Sequence, residues 1–335
     1  MGIRACRAIR RPFLLLALCF VALFLMYIGI RLTARIQGIF FQHAGVELTQ
    51  DEVALAFHEP HSRPPTQYIP RIIHQIFHNW HDVDNATMPD IWDEARHSCT
   101  SLHPDWEYIL WTTGPSREFI HKEYPWYLET YDGLSFPVQR VDALRYFLMR
   151  HYGGIYVDLD NGCRTNLEPL LYFPTWLTYG GHGTLSNNIL GAQPNHPFWN
   201  LVTESLIPYS WKYPLPYLTI SFATGQWFLT ELWERYHAEL ADGQPPLTRI
   251  MMDGRPGSAP WTFFTATEGG SWSNWDNYVF GWIGTHLVEF VLGIVVFILA
   301  LAGLLFGFWK FVRFCLVRRK RYQRLPSDKD EETLD

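Results

Sequence analysis

The sequence predicts an α/β domain held between two transmembrane helices, and three observations predict it. A strand–helix–strand alternation runs from Arg71 to Asp160. Long apolar runs stand on either side of the middle, at 12–30 and 287–308. The charge divides in the same way: the chain of 335 residues has a net −6, but residues 31–286 alone carry 15 basic and 27 acidic side chains. A middle that acidic is a poor candidate for nucleic-acid binding. With 48% hydrophobic and 18% charged residues, disorder over most of the chain is excluded.

Residues 1–11 contain Arg4, Arg7, Arg10 and Arg11 and no acid. The run 12–30 that follows is uncharged over 19 residues. About 20 apolar residues, rising about 1.5 Å each, cross a hydrocarbon core of about 30 Å. A cleavable signal peptide is the alternative. The run exceeds the usual core of about 7–15 residues and Arg31 follows without a small-residue cleavage site, so a retained anchor is expected. The second run, 287–308, has 22 residues interrupted only by Glu289. Beyond it, 309–335 reads as a basic tail with Lys310, Arg313 and Arg318–Arg319–Lys320–Arg321. Positive charge beside both spans places both flanks in the cytosol and residues 31–286 in the lumen. The sequon Asn85-Ala86-Thr87 fits that side.

Within the middle, 31–68 reads as a stem with a helical stretch at Thr49–Phe57 and a Pro-rich link, and a catalytic-type domain is expected over 69–286. Arg71–Phe77 and Tyr108–Trp111 have the β-branched and aromatic character of strands. Pro89–Cys99 reads as a helix, as does Ser116–Tyr124 with Ser116 available as its cap. Val138–Tyr152 carries a helical stripe of Val141, Leu144, Phe147 and Leu148. Gly153-Gly154 ends it, and Ile155-Tyr156-Val157 reads as a strand running into Asp158. Thr224–Leu240 is a further helix, and 261–282 is rich in aromatics and Gly. Cys99 and Cys163 are the two cysteines available for a lumenal disulfide; two unpaired core residues are an equal alternative.

The sharpest chemical feature is Gly153-Gly154-Ile155-Tyr156-Val157-Asp158-Leu159-Asp160. Carboxylates at i and i+2 of an extended chain point to one side, and at a strand end they form a hard-oxygen site suited to Mg²⁺ or Mn²⁺. In open α/β sheets ligands bind beyond the carboxyl ends of the strands. An Asp-x-Asp triplet alone also fits a solvated turn. Asp142 and Arg145, at i and i+3, share a helix face. They fit either an exposed ion pair of less than about 1 kcal/mol or a site in which Asp142 binds hydroxyls and Arg145 a hydroxyl or phosphate. The histidines carry no zinc spacing. The aromatics of 261–282 fit an interfacial belt or a lipid-positioning surface equally.

These residues carry a resemblance. Arg140-x-Asp142-x-x-Arg145-Tyr146 followed by Tyr152-Gly153-Gly154-Ile155-Tyr156-x-Asp158-x-Asp160 resembles the DXD core of the glycosyltransferase family that contains the fungal initiating mannosyltransferases. Ile69–Gln75, Tyr108–Thr112, Tyr124-Pro125-Trp126, Ser186-Asn187, His196-Pro197-Phe198 and Gly270-Ser271-Trp272 extend it. Two spans around one domain are most similar to the branch that mannosylates inositol phosphorylceramide. The resemblance implies a GT-A-type, Rossmann-like domain, GDP-mannose as donor, inositol phosphorylceramide as acceptor, Mn²⁺ (or Mg²⁺) as the ion, and a Golgi membrane location. It also implies a multi-pass membrane regulatory subunit. Carried over by position, it implies that Asp158 and Asp160 hold metal and donor, and that Asp142, Arg145 and Tyr156 bind donor sugar or phosphate. Phe77 would stack near the base. Two departures stand out. Trp111-Thr112-Thr113 replaces the family's Trp-Thr-Asp, and Ser273 stands where relatives often place His, leaving Asp276 or Ser273 as third metal ligand. A related transferase acting on N-glycans and a non-catalytic membrane partner remain alternatives.

Overall fold

The computed structural model describes residues 2–41, 43–59, 66–80, 82, 87–179, 183–252, 261–269 and 272–322. The chain divides into two compact units, Met1–Asn274 and Trp275–Asp335. In the first, the strands are β1 (Val46–Thr49), β2 (Ile72–Phe77), β3 (Glu107–Thr112), β4 (Gly154–Val157), β5 (Asn161–Cys163), β6 (Thr175–Tyr179), β7 (Leu185–Ala192), β8 (Thr248–Met251) and β9 (Phe264–Ala266). The helices are α1 (Gly2–Phe40), α2 (Gln50–His58), α3 (Asp90–Leu102), α4 (Thr113–Glu123), α5 (Leu128–Gly133), α6 (Pro137–His151), α7 (Pro197–Tyr209), α8 (Pro216–Ala223) and α9 (Gln226–Ala238).

Seven strands form one mixed sheet in the order β1-β8-β6-β7-β4-β2-β3. The pairs β2–β3, β2–β4, β6–β8 and β1–β8 are parallel, whereas β7 runs antiparallel to both β4 and β6. The reversal brings the amino end of β7 alongside the carboxyl end of β4, where the backbone N–H of Asp158 donates to the carbonyl of Asn188 at 2.8 Å. β5 and β9 form a second, two-stranded ribbon just beyond β4.

The expected strands and helices are present, and α6 exceeds expectation. Its residues from Val138 to Met149 are nearly all buried, Arg140 excepted, rather than only one stripe. It lies inside the larger of two apolar clusters, with Leu144, Phe147 and Leu148 packed among Tyr127, Trp199 and Phe228. Each such side chain contributes about 1.5–3 kcal/mol on burial. Gly154 is required by the turn from α6 into β4: its φ is +87°, and a Cβ there would meet the carbonyl oxygen of Ile72 at 2.7 Å.

Two expectations are corrected. Ser116 does not cap α4, which begins at Thr113; the Ser116 hydroxyl instead donates back to the Thr112 carbonyl at 2.6 Å from inside the helix. Residues 31–68 do not form a separate stem. β1 adds to the sheet edge beside β8, and α2 is held by a Thr49–Glu52 capping box. The anchor of this segment is polar: Glu234 accepts from the Ala44 N–H and lies 3.1 Å from the His43 ring.

The expected span 12–30 forms the middle of α1, with Leu16, Phe20, Leu23, Phe24, Tyr27 and Ile30 all exposed. The second unit consists of α10 (Trp275–Thr285) and α11 (Leu287–Tyr322). The first unit ends at Asn274, within the expected 69–286. Among the described residues, Leu287–Arg318 is long and apolar enough to cross a membrane, with 32 residues and no buried side chains in its most apolar stretch.

Cys99 of α3 and Cys163 of β5 are joined in a disulfide. Cys163 follows Asp160 by three residues, so the cross-link pins the ribbon beyond β4 to α3. Closing a loop of 64 residues stabilises by about 4 kcal/mol in the chain-entropy account. The expected result for the double variant Cys99→Ser, Cys163→Ser is a loss of about 2–5 kcal/mol, read as a lower thermal midpoint in detergent than the oxidised protein has.

Candidate active site

The sheet and α6 bring the sequence-predicted acids and Arg145 together at one edge. Asp158 stands at the carboxyl end of β4, and Asp142 and Arg145 approach it from α6. The Arg145 guanidinium donates through Nη1 to Asp158 Oδ2 at 3.2 Å and to the carbonyl of Asn187. Its Nη2 lies 3.3 Å from Asp142 Oδ1. The guanidinium also sits over the Tyr156 ring, 4.8 Å from its centroid. Tyr156 completes the arrangement by donating its hydroxyl to Asp158 Oδ1 at 2.5 Å.

This is not the exposed helix pair that i, i+3 spacing also permits. The Arg145 and Asp142 side chains are 4% and 5% exposed, whereas Asp158 is 26% exposed. A buried pair is held only if the remaining lone pairs and protons are met. Here Asn187 Nδ2 donates to Asp142 Oδ1 at 2.9 Å and Thr224 Oγ1 to Asp142 Oδ2 at 3.1 Å. Tyr146, one helix position from Arg145, accepts from Asn187 Nδ2 at 3.2 Å and donates to the Thr224 carbonyl at 2.7 Å. Burial pushes the Asp142 carboxyl up to about 6 against the pull of Arg145. Arg145 is held above its ordinary range, because Asp158, Tyr156 and Asp142 together outweigh the cost of its burial.

Asp160 has a different environment. Burial, then the nearby Asp158 charge, raise its carboxyl to about 6. Its Oδ1 is buried without a hydrogen-bond partner among the described residues. The chain after β9 passes directly over it: Thr267 donates its N–H to the Asp160 carbonyl at 2.8 Å, and a Cβ at Gly269 would lie 1.8 Å from Asp160 Oδ2. Only glycine allows that approach. An unpartnered carboxylate oxygen beside a second, partly exposed carboxylate fits a hard divalent cation whose other ligands come from phosphate oxygens and water. Among the described residues no third His, Cys, Asp or Glu joins them in a metal-holding group.

Phe77 ends β2 and so shares the carboxyl edge of the sheet, buried and edge-on to Trp92 with centroids 6.5 Å apart. Asp276 belongs to α10 of the second unit. Ser273 precedes that helix, and Gly270 and Ser271 of the Gly-Ser-Trp motif lie outside the described residues, as do Asn85 and Ala86 of the sequon. His74 is a core residue: fully buried, it bonds the Gly153 carbonyl at 3.0 Å and accepts from Trp111 Nε1. Sequence reasoning missed Thr224, Asn188 and Gly269. Thr224 bonds Asp142 across 82 positions, and no local pattern marks such a partner. Asn188, whose side chain donates to Asn161 Oδ1 at 3.1 Å, adjoins the Ser186-Asn187 pair that the resemblance marked.

Residues 89–176 match the family of the glycosyltransferase sugar-binding region containing the DXD motif. The mannosyl phosphorylinositol ceramide synthase SUR1 of Saccharomyces cerevisiae is 35% identical over 273 residues, covering 80% of this chain and 67% of that protein. Inositol phosphoceramide mannosyltransferase 2 of Schizosaccharomyces pombe is 40% identical over 228 residues, covering 67% of this chain and 64% of that protein. The chain thus spans about two thirds of the length of these relatives. Among solved structures, the PaToxG glycosyltransferase is similar with a TM-score of 0.41 at 15% identity, over 57% of this chain and 75% of that one.

Replacing Arg145 by Met leaves two carboxylates facing each other in a buried site. The expected cost is about 3–5 kcal/mol of stability, read as a fall in thermal midpoint. Arg145→Lys keeps the charge but loses the fork of donors, so it is expected to fall between Met and the parent.

Proposed function

The chain belongs to the family of inositol phosphoceramide mannosyltransferases, DXD-containing glycosyltransferases, and from that premise we propose that it transfers mannose from GDP-mannose to the inositol of an inositol phosphoceramide. The observation that carries the reading is the Asp158–Arg145–Asp142 network at the carboxyl edge of the sheet, with the open Asp160 oxygen beside it. The mixed sheet and its ligand edge support assignment of the domain to the GT-A type. Apolar α1 and α11 and the basic residues next to both support a two-pass protein in the Golgi membrane, with the sheet-bearing unit in the lumen. The Cys99–Cys163 disulfide supports the same side, since disulfides persist in oxidising compartments. A multi-pass regulatory subunit belongs to the proposal through the resemblance alone.

Cleavage of the sugar–diphosphate bond leaves negative charge on the diphosphate and positive charge on the sugar ring. A Mn²⁺ or Mg²⁺ ion held by Asp158 and Asp160 would supply Lewis acidity to the leaving diphosphate. Arg145 stays cationic at the site and is fixed by Asp142, Asp158 and Tyr156, so its field toward the donor is set before the reaction. Asp142 has both carboxylate oxygens engaged by Asn187 and Thr224. Its role is to orient Arg145 and accept from a donor-sugar hydroxyl, rather than to attack carbon. Among the described residues no third Asp or Glu groups with Asp158 and Asp160, and the proposal is a retaining, same-face substitution in which the departing diphosphate takes the acceptor proton. Phe77 is the proposed aromatic neighbour of the base.

Two outcomes are expected. Asp160→Asn abolishes mannose transfer by the purified protein while leaving thermal midpoint and membrane localisation near the parent's, and Asp158→Asn abolishes it with a lowered midpoint, because it removes a charge partner of the buried Arg145; near-normal transfer by either would sink the assignment. Ion binding requires ionised Asp160, whose carboxyl is raised to about 6 without the ion. Affinity for Mn²⁺, measured by calorimetric titration, should therefore hold above pH 6 and fall by up to about tenfold per unit below it.

A further inference from the structure

A second polar feature lies in the same unit, and the network around Arg145 does not use it. A pocket of about 340 Å³ opens between α5, the start of α6 and the loop that joins α7 to α8. Its lining includes Glu129, Ser135, Gln139, Ser210, Lys212 and Thr219, with Trp211 at its rim. Gln139, Ser210 and Thr219 are already bonded within the protein, so Glu129 and Ser135 are the groups that suit a polyhydroxylated ligand, and Lys212, which makes no ion pair among the described residues, suits an anion. The size is at the low end of the range for small-molecule sites.

Two elements connect this pocket to the reacting edge. Gln139 precedes Asp142 on α6 by three residues, a rise of about 4.5 Å. Thr219 lies on α8, and just past the end of that helix Thr224 bonds Asp142. The pocket is therefore about one helical turn from the carboxylate that anchors Arg145.

With α1 read as a membrane span, as proposed above, it sets the loop's height above the membrane. Arg35 is five residues beyond Ile30, about 7 Å along the helix, and the headgroup layer outside the hydrocarbon core is about 5–7 Å deep. Arg35 pairs with Glu231 at 2.7 Å, and Tyr209 donates to the same carboxylate at 3.2 Å. The Arg35 guanidinium also lies 4.6 Å from the centroid of Phe222, which packs 5.5 Å from Tyr213. Tyr209 and Tyr213 thus hold both ends of the loop near the headgroup level. At its tip Trp211 is 73% exposed, with Ile207 beside it at 42%. An exposed Trp, two Tyr and a Lys at that height have the composition of a membrane-interface contact.

We propose that this pocket is the acceptor subsite: it takes the anionic, polyhydroxylated headgroup of an inositol phospholipid, Lys212 holding the phosphate, while Trp211 and Ile207 rest in the membrane interface above it. The assignment rests on the transferase reading and adds where the acceptor binds. The lipid chains stay in the bilayer, and only the headgroup has to reach the edge where Asp158 and Arg145 stand.

The test uses the full chain in vesicles containing inositol phosphoceramide, with GDP-mannose as donor and water-soluble glycerophosphoinositol as a second acceptor. Lys212→Glu should raise KM for both acceptors by about tenfold or more, with KM for the donor unchanged. Trp211→Ala should raise KM for the vesicle acceptor by more than it raises KM for the soluble one. An unaltered acceptor KM for Lys212→Glu, or a donor KM that rises equally, overturns the assignment. Equal effects of Trp211→Ala on the two acceptors overturn the membrane contact. Parent activity separates the two claims: no transfer to the lipid by the parent sinks the transferase reading and this one with it. Transfer by a parent whose Lys212 variant behaves identically sinks only the pocket.

Discussion

A guanidinium that cannot be left unpaired organises this unit. Arg145 is buried between a helix and a strand, with Nη1 and Nη2 met by Asp158, Asn187 and Asp142 and its Nε without a partner among the described residues. α6 must be buried along most of its length to bring Asp142 and Arg145 inside. Gly154 must take a left-handed turn so that β4 starts at once and delivers Asp158. The antiparallel β7 then supplies the Asn187 carbonyl to Arg145 and its side chain to Asp142. Removing any one part leaves a charge in a low-dielectric site, which costs more than an ordinary contact returns. The same constraint prepares the chemistry, because a cation fixed before substrate arrives does not have to reorganise when charge develops.

Much of this was legible in the sequence, for reasons that can be named. The strand–helix–strand alternation and the pair of glycines locate β4, and Asp-x-Asp after an apolar strand marks the edge. What spacing could not decide was burial. Asp142 and Arg145 at i and i+3 read the same on a solvated surface as in a core, and only the tertiary neighbours Asn187 and Thr224 separate the two. Cys99 and Cys163 were likewise open between a bridge and two free thiols, since pairing depends on how α3 meets β5. Residues 31–68 read as a stem because their polar and Pro-rich stretches mask the four-residue edge strand β1. Ser116 resembled a cap because its residue type favours caps, but the helix starts one turn earlier and turns the hydroxyl back on its own backbone.

The uneven charge has a physical consequence as well. Residues 31–286 are net acidic, so the field of the unit repels an anionic donor at long range. On the proposed reading, recognition is local, through Arg145 and a cation that Asp158 and Asp160 would hold. The long apolar helix α11 suggests association with a membrane; on the proposed reading this restricts the search for an acceptor to two dimensions and favours a lipid. The disulfide and the close passage of Gly269 over Asp160 keep the Asp158–Asp160 edge in place on the strand side.

The most direct measurement is the sphingolipid profile of cells lacking the gene. The account predicts accumulation of unmannosylated inositol phosphoceramide, reversed by the parent chain and not by one in which Arg145 is replaced by Met. Unchanged sphingolipids accompanied by altered N-glycans would contradict it.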